Sequence, residues 1–207
     1  DSLSTWFPKA AATFADETGG LLDLVLDDEA HTAGRLRTGD VLAAVTADPA
    51  QVVGCKIHPL GEIEYVAVAA AAFAGRHFPR GVDGSSLQQA PMMRFDRRDD
   101  LQFRWAREAW GTTITPPIHW TPSTQGMLDM TLAGLGWSMA PVTLAAPLIA
   151  EGRLIELAPH RRIAVTLYWQ RTRLAARLLD RLTHAVRAVA AEALESDAQG
   201  IYRSIRD

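Results

Sequence analysis

The sequence has few of the residues that indicate a disulfide scaffold, a zinc cluster or a strongly charged binding surface. Its 207 residues include one cysteine, Cys55, which excludes an internal disulfide framework and a cysteine-based zinc site. The net charge is -3, from 24 acidic and 21 basic residues, so the chain has no overall positive field to drive non-specific binding to nucleic acid. The lone cysteine fits a reducing compartment, and we expect a cytoplasmic protein.

Long uninterrupted apolar runs are also missing. No window of about 18 uncharged apolar residues occurs, which is the length that a membrane-spanning helix needs. No charged segment followed by a long apolar run opens the chain, and we expect no membrane association. The hydrophobic content of 48% is sufficient for the core of one large domain or two small ones.

Short apolar runs alternate with segments of helical periodicity. The predicted strands are 21–26, 41–45, 52–58, 65–69, 92–95, 114–120 and 163–169, with a turn at 59–61 between the third and the fourth. The main predicted helices are one near 6–18, one at 31–38, one at 101–110 that stops at Gly111, one after 121–124, and a long one from Leu174. This alternation predicts a doubly wound α/β architecture, with Val41–Val45 as a buried parallel strand.

Three consecutive carboxylates follow the first predicted strand. Asp27, Asp28 and Glu29 lie in a strand-to-helix turn, at the end of a parallel sheet where ligands bind. Clustered negative charges suit a cationic ligand, provided that at least one carboxylate is held in a fixed geometry and shielded from water. A solvated turn with helix-capping acids is the alternative.

Two predicted helix starts carry hydroxyl groups. Ser2 and Thr5 lie at the first start, where Ser2 or Ser4 is the expected N-cap, and Ser123 and Thr124 lie at a later one. Free backbone N–H groups and hydroxyls at such starts can bind a carboxylate, and two of them could share it across a cleft. Simple capping is the alternative for each.

No pattern indicates an enzyme, a metal site or a cofactor. Cys55 and His58 point to opposite faces of a predicted strand, so they make a poor nucleophile and base. No Gly-x-Ser-x-Gly elbow accompanies His31, and the histidines lack metal-ligand spacing. The segment Gly134–Pro141 lacks the third glycine of a dinucleotide fingerprint and follows a helix. The mixed charged loop Asp96–Asp100 is a second candidate for ligand contacts, with a solvated loop as the alternative.

Several local patterns, in this order, resemble the effector-binding domain of LysR-type transcriptional regulators over residues 1–195. They are Leu36-x-x-Gly39 followed by the strand Val41–Val45, and the late segment Gly-Leu-Gly-Trp-Ser-Met-Ala-Pro at 134–141. A closer similarity links the chain to the lysine- and arginine-responsive ArgP/LysG branch. It is carried by Asp1-Ser2-Leu3-x-Thr5-Trp6, Asp28-Glu29, Leu60-Gly61, Phe73-Ala74, Phe78-Pro79, Phe95-Asp96-x-x-Asp99-Asp100 and Leu167-Tyr168-Trp169.

The resemblance implies an α/β fold with two Rossmann-like subdomains in a periplasmic-binding-protein-like (type 2) architecture, joined by two crossover strands. Regulatory subdomain I would comprise residues 1–67 plus 165–195, subdomain II residues 68–164, and a C-terminal tail residues 196–207. The family's N-terminal winged helix-turn-helix domain has no counterpart in this sequence. We therefore expect promoter DNA to be bound only by the intact regulator, while this chain senses an effector and forms a homodimer or homotetramer.

The resemblance also assigns roles in an effector cleft, because the loop that matches Asp27–Glu29 lines that cleft in the family. The implied effector is lysine or arginine. Ser2, Thr5, Ser123 and Thr124 would hold its carboxylate, and Glu29 and Asp99 its two cationic ends, with Asp27 or Asp28 assisting. Trp6 would flank the aliphatic stem, unless it is a buried structural residue. A periplasmic-type amino-acid-binding protein is the alternative function, since it would share the fold and the ligand.

Overall fold

The computed structural model describes residues 1–26, 33–173 and 176–203, and for Ala33 and residues 195–203 it describes the backbone alone. The chain divides into two compact units. Unit 1 consists of Asp1–Ile63 and Val165–Asp207, and unit 2 of Glu64–Ala164. Strands β2 (Cys55–Ala69) and β7 (Ile163–Thr172) each contain a unit boundary, so the chain passes between the units within two strands.

Unit 1 is built from both ends of the chain. After a 3-10 turn at Ser2–Ser4, its elements are α1 (Phe7–Thr18), α2 (Ala33–Thr38), β1 (Ala43–Thr46), the first part of β2, most of β7, and α8 (Arg177–Arg203). Strand β1 pairs antiparallel with β7, and β7 is also hydrogen-bonded to β2. The two terminal segments therefore meet in one sheet.

The apolar face of α8 forms much of the core of unit 1. Its buried residues recur at helical spacing and are Leu179, Leu182, Ala185, Val186, Val189, Ala190 and Leu194. Helix α1 packs against this face and buries Ala10 and Phe14. The indole Nε1 of Trp169 donates to Thr183 Oγ1 at 3.1 Å, which links β7 to α8. Apolar burial on one side of each helix thus accounts for the packing.

Unit 2 is continuous in sequence. It contains the end of β2, α3 (Ala71–His77), α4 (Gly84–Gln89), β3 (Met92–Arg94), α5 (Leu101–Trp110), β4 (Ile118–Trp120), α6 (Thr124–Leu132), β5 (Ser138–Pro141), α7 (Val142–Ala150) and β6 (Ile155–Glu156). Strands β5 and β6 pair antiparallel with β2, and β3 pairs parallel with β4.

The core of unit 2 combines aliphatic and indole side chains. One cluster is formed by Val66, Val68, Leu128, Ala140, Ala145 and Leu154. Trp105 and Trp137 are 2% and 0% exposed, and their ring centroids lie 5.4 Å apart. A Cβ on Gly136 would lie 2.8 Å from the Pro91 carbonyl oxygen, so this close approach of two backbones requires glycine.

Two predicted helices are confirmed together with their boundary signals. Helix α5 spans Leu101–Trp110 as predicted, and Gly111 ends it in the left-handed conformation with φ 64°. Helix α6 begins at Thr124 with Ser123 as its N-cap. Both ends depend on local backbone chemistry, which is readable from sequence.

The predicted strand at 21–26 is wrong. These residues have no strand conformation, and Leu21, Leu24, Val25 and Leu26 are between 47% and 97% exposed. A β-strand needs a hydrogen-bonding neighbour as well as apolar side chains, and none of the described strands pairs with this segment. The predicted N-cap at Ser2 or Ser4 is also wrong, because α1 begins only at Phe7 with Trp6 as its N-cap.

The strand directions and lengths also differ from the predictions. Strand β1 is antiparallel to β7 and half-buried, and the turn predicted at 59–61 lies inside the continuous strand β2. Gly61 has a φ of 133°, a backbone conformation that favours glycine, and β2 continues through it and through Pro59. Strand β4 is limited to Ile118–Trp120, since Pro116 and Pro117 cannot donate ladder hydrogen bonds. Helix α8 continues to Arg203, into the segment expected to be a tail.

Candidate functional site

The first candidate group lies at the start of unit 1. The Thr5 hydroxyl donates to the Asp1 carbonyl oxygen at 3.0 Å, and the Ser2 carbonyl oxygen accepts from Thr5 N at 3.3 Å. Ser2 is 6% exposed, and Thr5 is half-buried. The hydroxyl of Thr5 therefore shapes the 3-10 turn that precedes α1.

Trp6 is a core residue of unit 1. Its ring is 5% exposed and packs edge-on against Phe7, with ring centroids 5.7 Å apart and an interplanar angle of 68°. The indole Nε1 is buried and has no hydrogen-bond partner within the described part of the chain. Burial of most of this ring agrees with the structural alternative considered for Trp6, while the free N–H leaves one polar group unused.

The acidic turn Asp27–Glu29 lies outside the described residues. The interpretation of its three carboxylates therefore remains a sequence-based prediction.

The second candidate group lies at one edge of the parallel pair β3 and β4 in unit 2. Their register places Arg94 opposite Trp120, the last residue of each strand. The backbone N–H of Thr121 donates to the Arg94 carbonyl oxygen at 2.9 Å. The loop that follows β3 and the start of α6 therefore begin side by side, at the carboxyl ends where parallel strands present ligand-binding loops.

Arg94 holds the loop that follows β3. Its side chain is buried, its Nε donates to the Asp99 carbonyl oxygen at 2.7 Å, and its Nη2 donates to the same oxygen and to the Arg97 carbonyl oxygen. The guanidinium carbon also lies 4.6 Å from the centroid of the Phe103 ring. Two backbone carbonyl oxygens thus satisfy this buried cation.

Asp99 is largely occupied by the same loop. Its carboxylate accepts from the backbone N–H groups of Phe95 and Leu101, both at 3.1 Å, and from Gln102 Nε2 at 3.2 Å. These donors take up most of the roughly four lone-pair sites of a carboxylate. Asp99 is half-buried, which would strengthen any contact of the remaining negative charge with a cation.

Asp96 is a second carboxylate of this loop. Burial acts to raise its pKa, but hydrogen bonds from the Arg98 guanidinium and from the backbone N–H groups of Arg98 and Asp99 prevail, and the pKa of the carboxyl is lowered. The Arg98 Nη2 lies 2.8 Å from Asp96 Oδ2. Asp96 is therefore ionised at neutral pH and already paired.

Ser123 and Thr124 stand at the start of α6. Ser123 Oγ accepts from Gly126 N at 3.0 Å, so Ser123 caps the helix, as in the alternative stated for it. A hydroxyl that accepts in this way still has its own proton to donate. Thr124 is half-buried in the first turn, where anions are favoured by the helix dipole.

The structure brings the candidates together in two groups. Ser2, Thr5 and Trp6 are neighbours in unit 1, while Asp99, Ser123 and Thr124 lie near the β3 and β4 edge in unit 2. Sequence reasoning missed Arg94 and Trp120 at this edge, whereas Arg97 lies in the charged loop that it had singled out. The signal that could have found them is their position at, or shortly after, the end of two strands.

Other chemistry is not indicated by the described residues. No group of three or more His, Cys, Asp or Glu side chains among them could hold a metal ion. None of the helices in the described ranges combines the length and apolarity needed to cross a membrane. Cys55 is a buried free thiol, and burial raises its pKa, which makes it a poor nucleophile.

The comparisons with known proteins agree on one family. The model of the LysR substrate binding domain matches residues 2–195. The C-terminal domains of a LysR family protein from Agrobacterium tumefaciens are 44% identical, with a TM-score of 0.89 and 94% of each chain covered. The HTH-type transcriptional regulator LysG of Mycobacterium tuberculosis is 37% identical over 203 residues, which are 98% of this chain and 63% of that protein.

The LysG regulator of Corynebacterium glutamicum gives a third comparison. It is named a lysine export transcriptional regulatory protein and is 39% identical over 199 residues. Its full-length structure with bound effector Arg has a TM-score of 0.80 and is 39% identical, with 94% of this chain and 66% of that chain covered. This chain thus spans less than two thirds of the length of the curated relatives that it matches.

These matches confirm the expected α/β fold of periplasmic-binding-protein type 2 architecture, since the similar structures are LysR regulatory domains. The relatives are named transcriptional regulators and not enzymes. With a family model that extends over nearly the whole chain, the chain belongs to the LysR substrate binding domain family.

Proposed function

We propose that this chain is the effector-sensing and oligomerisation domain of a LysR-type regulator that responds to a basic amino acid, lysine or arginine. The observation that carries the ligand class is the similarity to the LysG regulator of C. glutamicum, whose structure holds the effector Arg. The name of that relative supports control of a gene such as one for a basic amino-acid exporter. Because the relatives are regulators, the alternative of a periplasmic solute-binding protein is disfavoured.

The proposed ligand contacts combine the two groups of candidate residues with the acidic turn. Ser2, Thr5, Ser123 and Thr124 would bind the effector's carboxylate, and Glu29 and Asp99 its cationic ends. Capping by Ser123 supports this assignment, because the capped helix start offers a hydroxyl donor where an anion is favoured. Asp27 and Asp28 would add negative potential. Trp6 is the candidate for flanking the ligand's stem, but its burial favours the structural role.

The two compact units would correspond to the two regulatory subdomains expected from the sequence. The expected division assigned 1–67 and 165–195 to one subdomain and 68–164 to the other. An effector that contacts both subdomains favours one arrangement of them over others, and this population shift would change how protomers associate. In the intact regulator, such a change would reposition the DNA-binding domains on the promoter.

Calorimetry on this chain tests the proposed ligand class. We expect lysine or arginine to bind and leucine not to bind, because a neutral side chain cannot compensate the carboxylates that we propose for the cationic ends of the effector. Glu29→Gln should weaken binding by about 1.5 to 3 kcal/mol, the range of a hydrogen bond to a charged group. Glu151→Gln, at an exposed position on the surface of unit 2, is the control and should leave binding unchanged.

Equal affinity for leucine and lysine would refute the charge argument. Light scattering with and without the bound amino acid would test the homodimer or homotetramer separately, since a monomer under both conditions contradicts an oligomerisation role. We further propose that the intact regulator is cytoplasmic and binds promoter DNA through a helix-turn-helix domain.

A further inference from the structure

Trp120 is the most exposed of the six tryptophans. Trp120 is the last residue of β4 and is 42% exposed. The buried tryptophans are at most 5% exposed; they are Trp6, Trp105, Trp137 and Trp169. A tryptophan ring at the surface presents an aromatic face on which a cationic group can stack. The Trp120 ring lies at the same strand edge as Arg94 and the start of α6, which is the edge that the proposed function assigns to effector contact.

Two guanidinium groups lie over this ring. The guanidinium carbon of Arg94 is 5.1 Å from the ring centroid, and that of Arg97 is 5.0 Å away. Both distances are within the range of cation–π attraction. The ring therefore binds guanidinium groups in this structure.

The two arginines differ in how firmly they are held. Arg94 is buried and donates to the carbonyl oxygens of Asp99 and Arg97, so it is a fixed part of the fold. Arg97 is exposed, and within the described ranges its guanidinium is anchored by the Trp120 ring rather than by an ion pair. A competing cation could therefore replace the Arg97 side chain at little cost.

Guanidinium and ammonium differ in their affinity for such a ring. A guanidinium is planar and weakly hydrated, so it stacks on an aromatic face with little desolvation cost, whereas an ammonium is compact and strongly hydrated. A ring that already binds a guanidinium of the protein will therefore favour the side chain of free arginine over that of free lysine.

We propose that Trp120 is a specificity-determining residue whose ring binds the guanidinium of an arginine effector, and that the Arg97 side chain occupies this ring until the effector replaces it. This inference rests on the proposed function and names the preferred member of the basic amino acids. Arg97 then acts as an internal competitor that sets the arginine concentration required for binding.

A second tryptophan and arginine pair in unit 2 provides the matched control. The guanidinium carbon of Arg161 lies 5.1 Å from the centroid of the Trp110 ring. However, that ring packs against Trp105 with centroids 4.9 Å apart, and Arg161 also donates to the Ala109 carbonyl oxygen. The Trp110 ring thus packs on a buried residue, and the pair lies at the opposite end of α5 from the Arg97 loop. Its loss should therefore not affect effector selectivity.

The test is titration calorimetry of the chain with L-arginine and with L-lysine. We expect the unmodified chain to bind arginine more tightly than lysine. Trp120→Leu should weaken the binding of arginine about fivefold and that of lysine less than about twofold, as expected for the loss of one cation–π contact. The arginine affinity of Trp120→Phe should lie between that of the unmodified chain and that of Trp120→Leu. Arg97→Ala should strengthen the binding of arginine by about two- to threefold and leave the binding of lysine unchanged. The control Arg161→Ala should change neither affinity.

The failure of this inference and the failure of the proposed function give different results. If Trp120→Leu weakens both ligands by the same factor, or neither, the ring has no role in selectivity and the inference is wrong, although the proposed function stands. Lysine binding without arginine binding would also overturn the inference alone. If neither amino acid binds the unmodified chain, the proposed function fails and the inference falls with it. Lysine binding retained by a variant also shows that the variant is folded.

Discussion

Arg94 illustrates how one buried cation can define a whole loop. Its side chain is 8% exposed and donates to two backbone carbonyl oxygens of the segment that follows β3. The same guanidinium lies over the rings of Phe103 and Trp120. The planar fork of arginine can satisfy carbonyl acceptors and aromatic faces at once, and lysine cannot reproduce this combination.

A stability measurement on Arg94→Lys tests this interpretation. The variant keeps the positive charge but loses the fork geometry, and we expect it to lower the free energy of unfolding by about 1.5 to 3 kcal/mol. The measurement is urea denaturation followed by circular dichroism, in which the midpoint falls while the slope is unchanged. Arg98→Lys, at an exposed arginine paired with Asp96, is the control and should cost less than about 1 kcal/mol. Equal losses in the two variants would contradict the assignment.

At the scale of whole elements, helices are predictable where their ends have local signals. Gly111 ends α5 and Ser123 begins α6 through backbone geometry and a side-chain cap that involve only nearby residues. Strands depend instead on distant partners. The apolar segment 21–26 looks like a strand from its composition, but none of the described strands pairs with it. Strand β1 does form, and its antiparallel partner β7 lies more than a hundred residues further along the chain.

The candidate site shows the same division. Capping by Ser123 follows from its place before a helical period, so the sequence indicates it directly. The contacts of Trp120 with Arg94 and Arg97 depend on the register of β3 and β4, which composition does not encode. For this reason sequence reasoning missed the residues at the strand ends, although it predicted both strands.

His58 lies among positive charges from three elements. Burial lowers its pKa, and repulsion from Arg187 of α8, Arg171 of β7 and Lys56 of β2 lowers it further. Its Nε2 is buried and has no hydrogen-bond partner among the described residues. Arg171 is itself paired with Asp180 at 2.6 Å. The packing of these three elements therefore favours the neutral imidazole.

The pH dependence of stability follows from the direction of this shift. Because the folded-state pKa is below the unfolded value of 6.5, the unfolded chain binds a proton first as the pH falls, and folding stability decreases below that value. We expect the urea midpoint to drop between about pH 7 and pH 5 and to drop less in His58→Gln. His184→Gln, at an exposed position of α8, should follow the unmodified chain. A drop of the same size in all three proteins would show that other groups are responsible.

At the scale of the whole molecule, the net charge argues against DNA binding by this chain alone. The net charge of -3 gives no excess of cations to release counterions from a phosphate backbone. This chain is similar to regulators of which it spans less than two thirds, so promoter recognition is proposed only for the intact protein.

Fluorescence anisotropy with a labelled DNA duplex tests whether this chain binds DNA by itself. We expect no binding by this chain at micromolar concentration and physiological salt, so that its dissociation constant lies above about 10⁻⁶ M, the tight end of the range for ordinary non-specific binders. Added lysine or arginine should not change the result. A salt-sensitive increase in anisotropy at low micromolar protein would show that the regulatory domain itself contacts phosphates.

The discontinuity of unit 1 has a consequence for biosynthesis. Residues 64–164 are all available as soon as that segment has left the ribosome, whereas the sheet and core of unit 1 need β7 and α8, which are translated later. Domains form as their residues emerge, so unit 2 is expected to fold first during translation. Until α8 arrives, the apolar face of α1 lacks its main covering surface, and this interval is when a nascent chain would most need a chaperone.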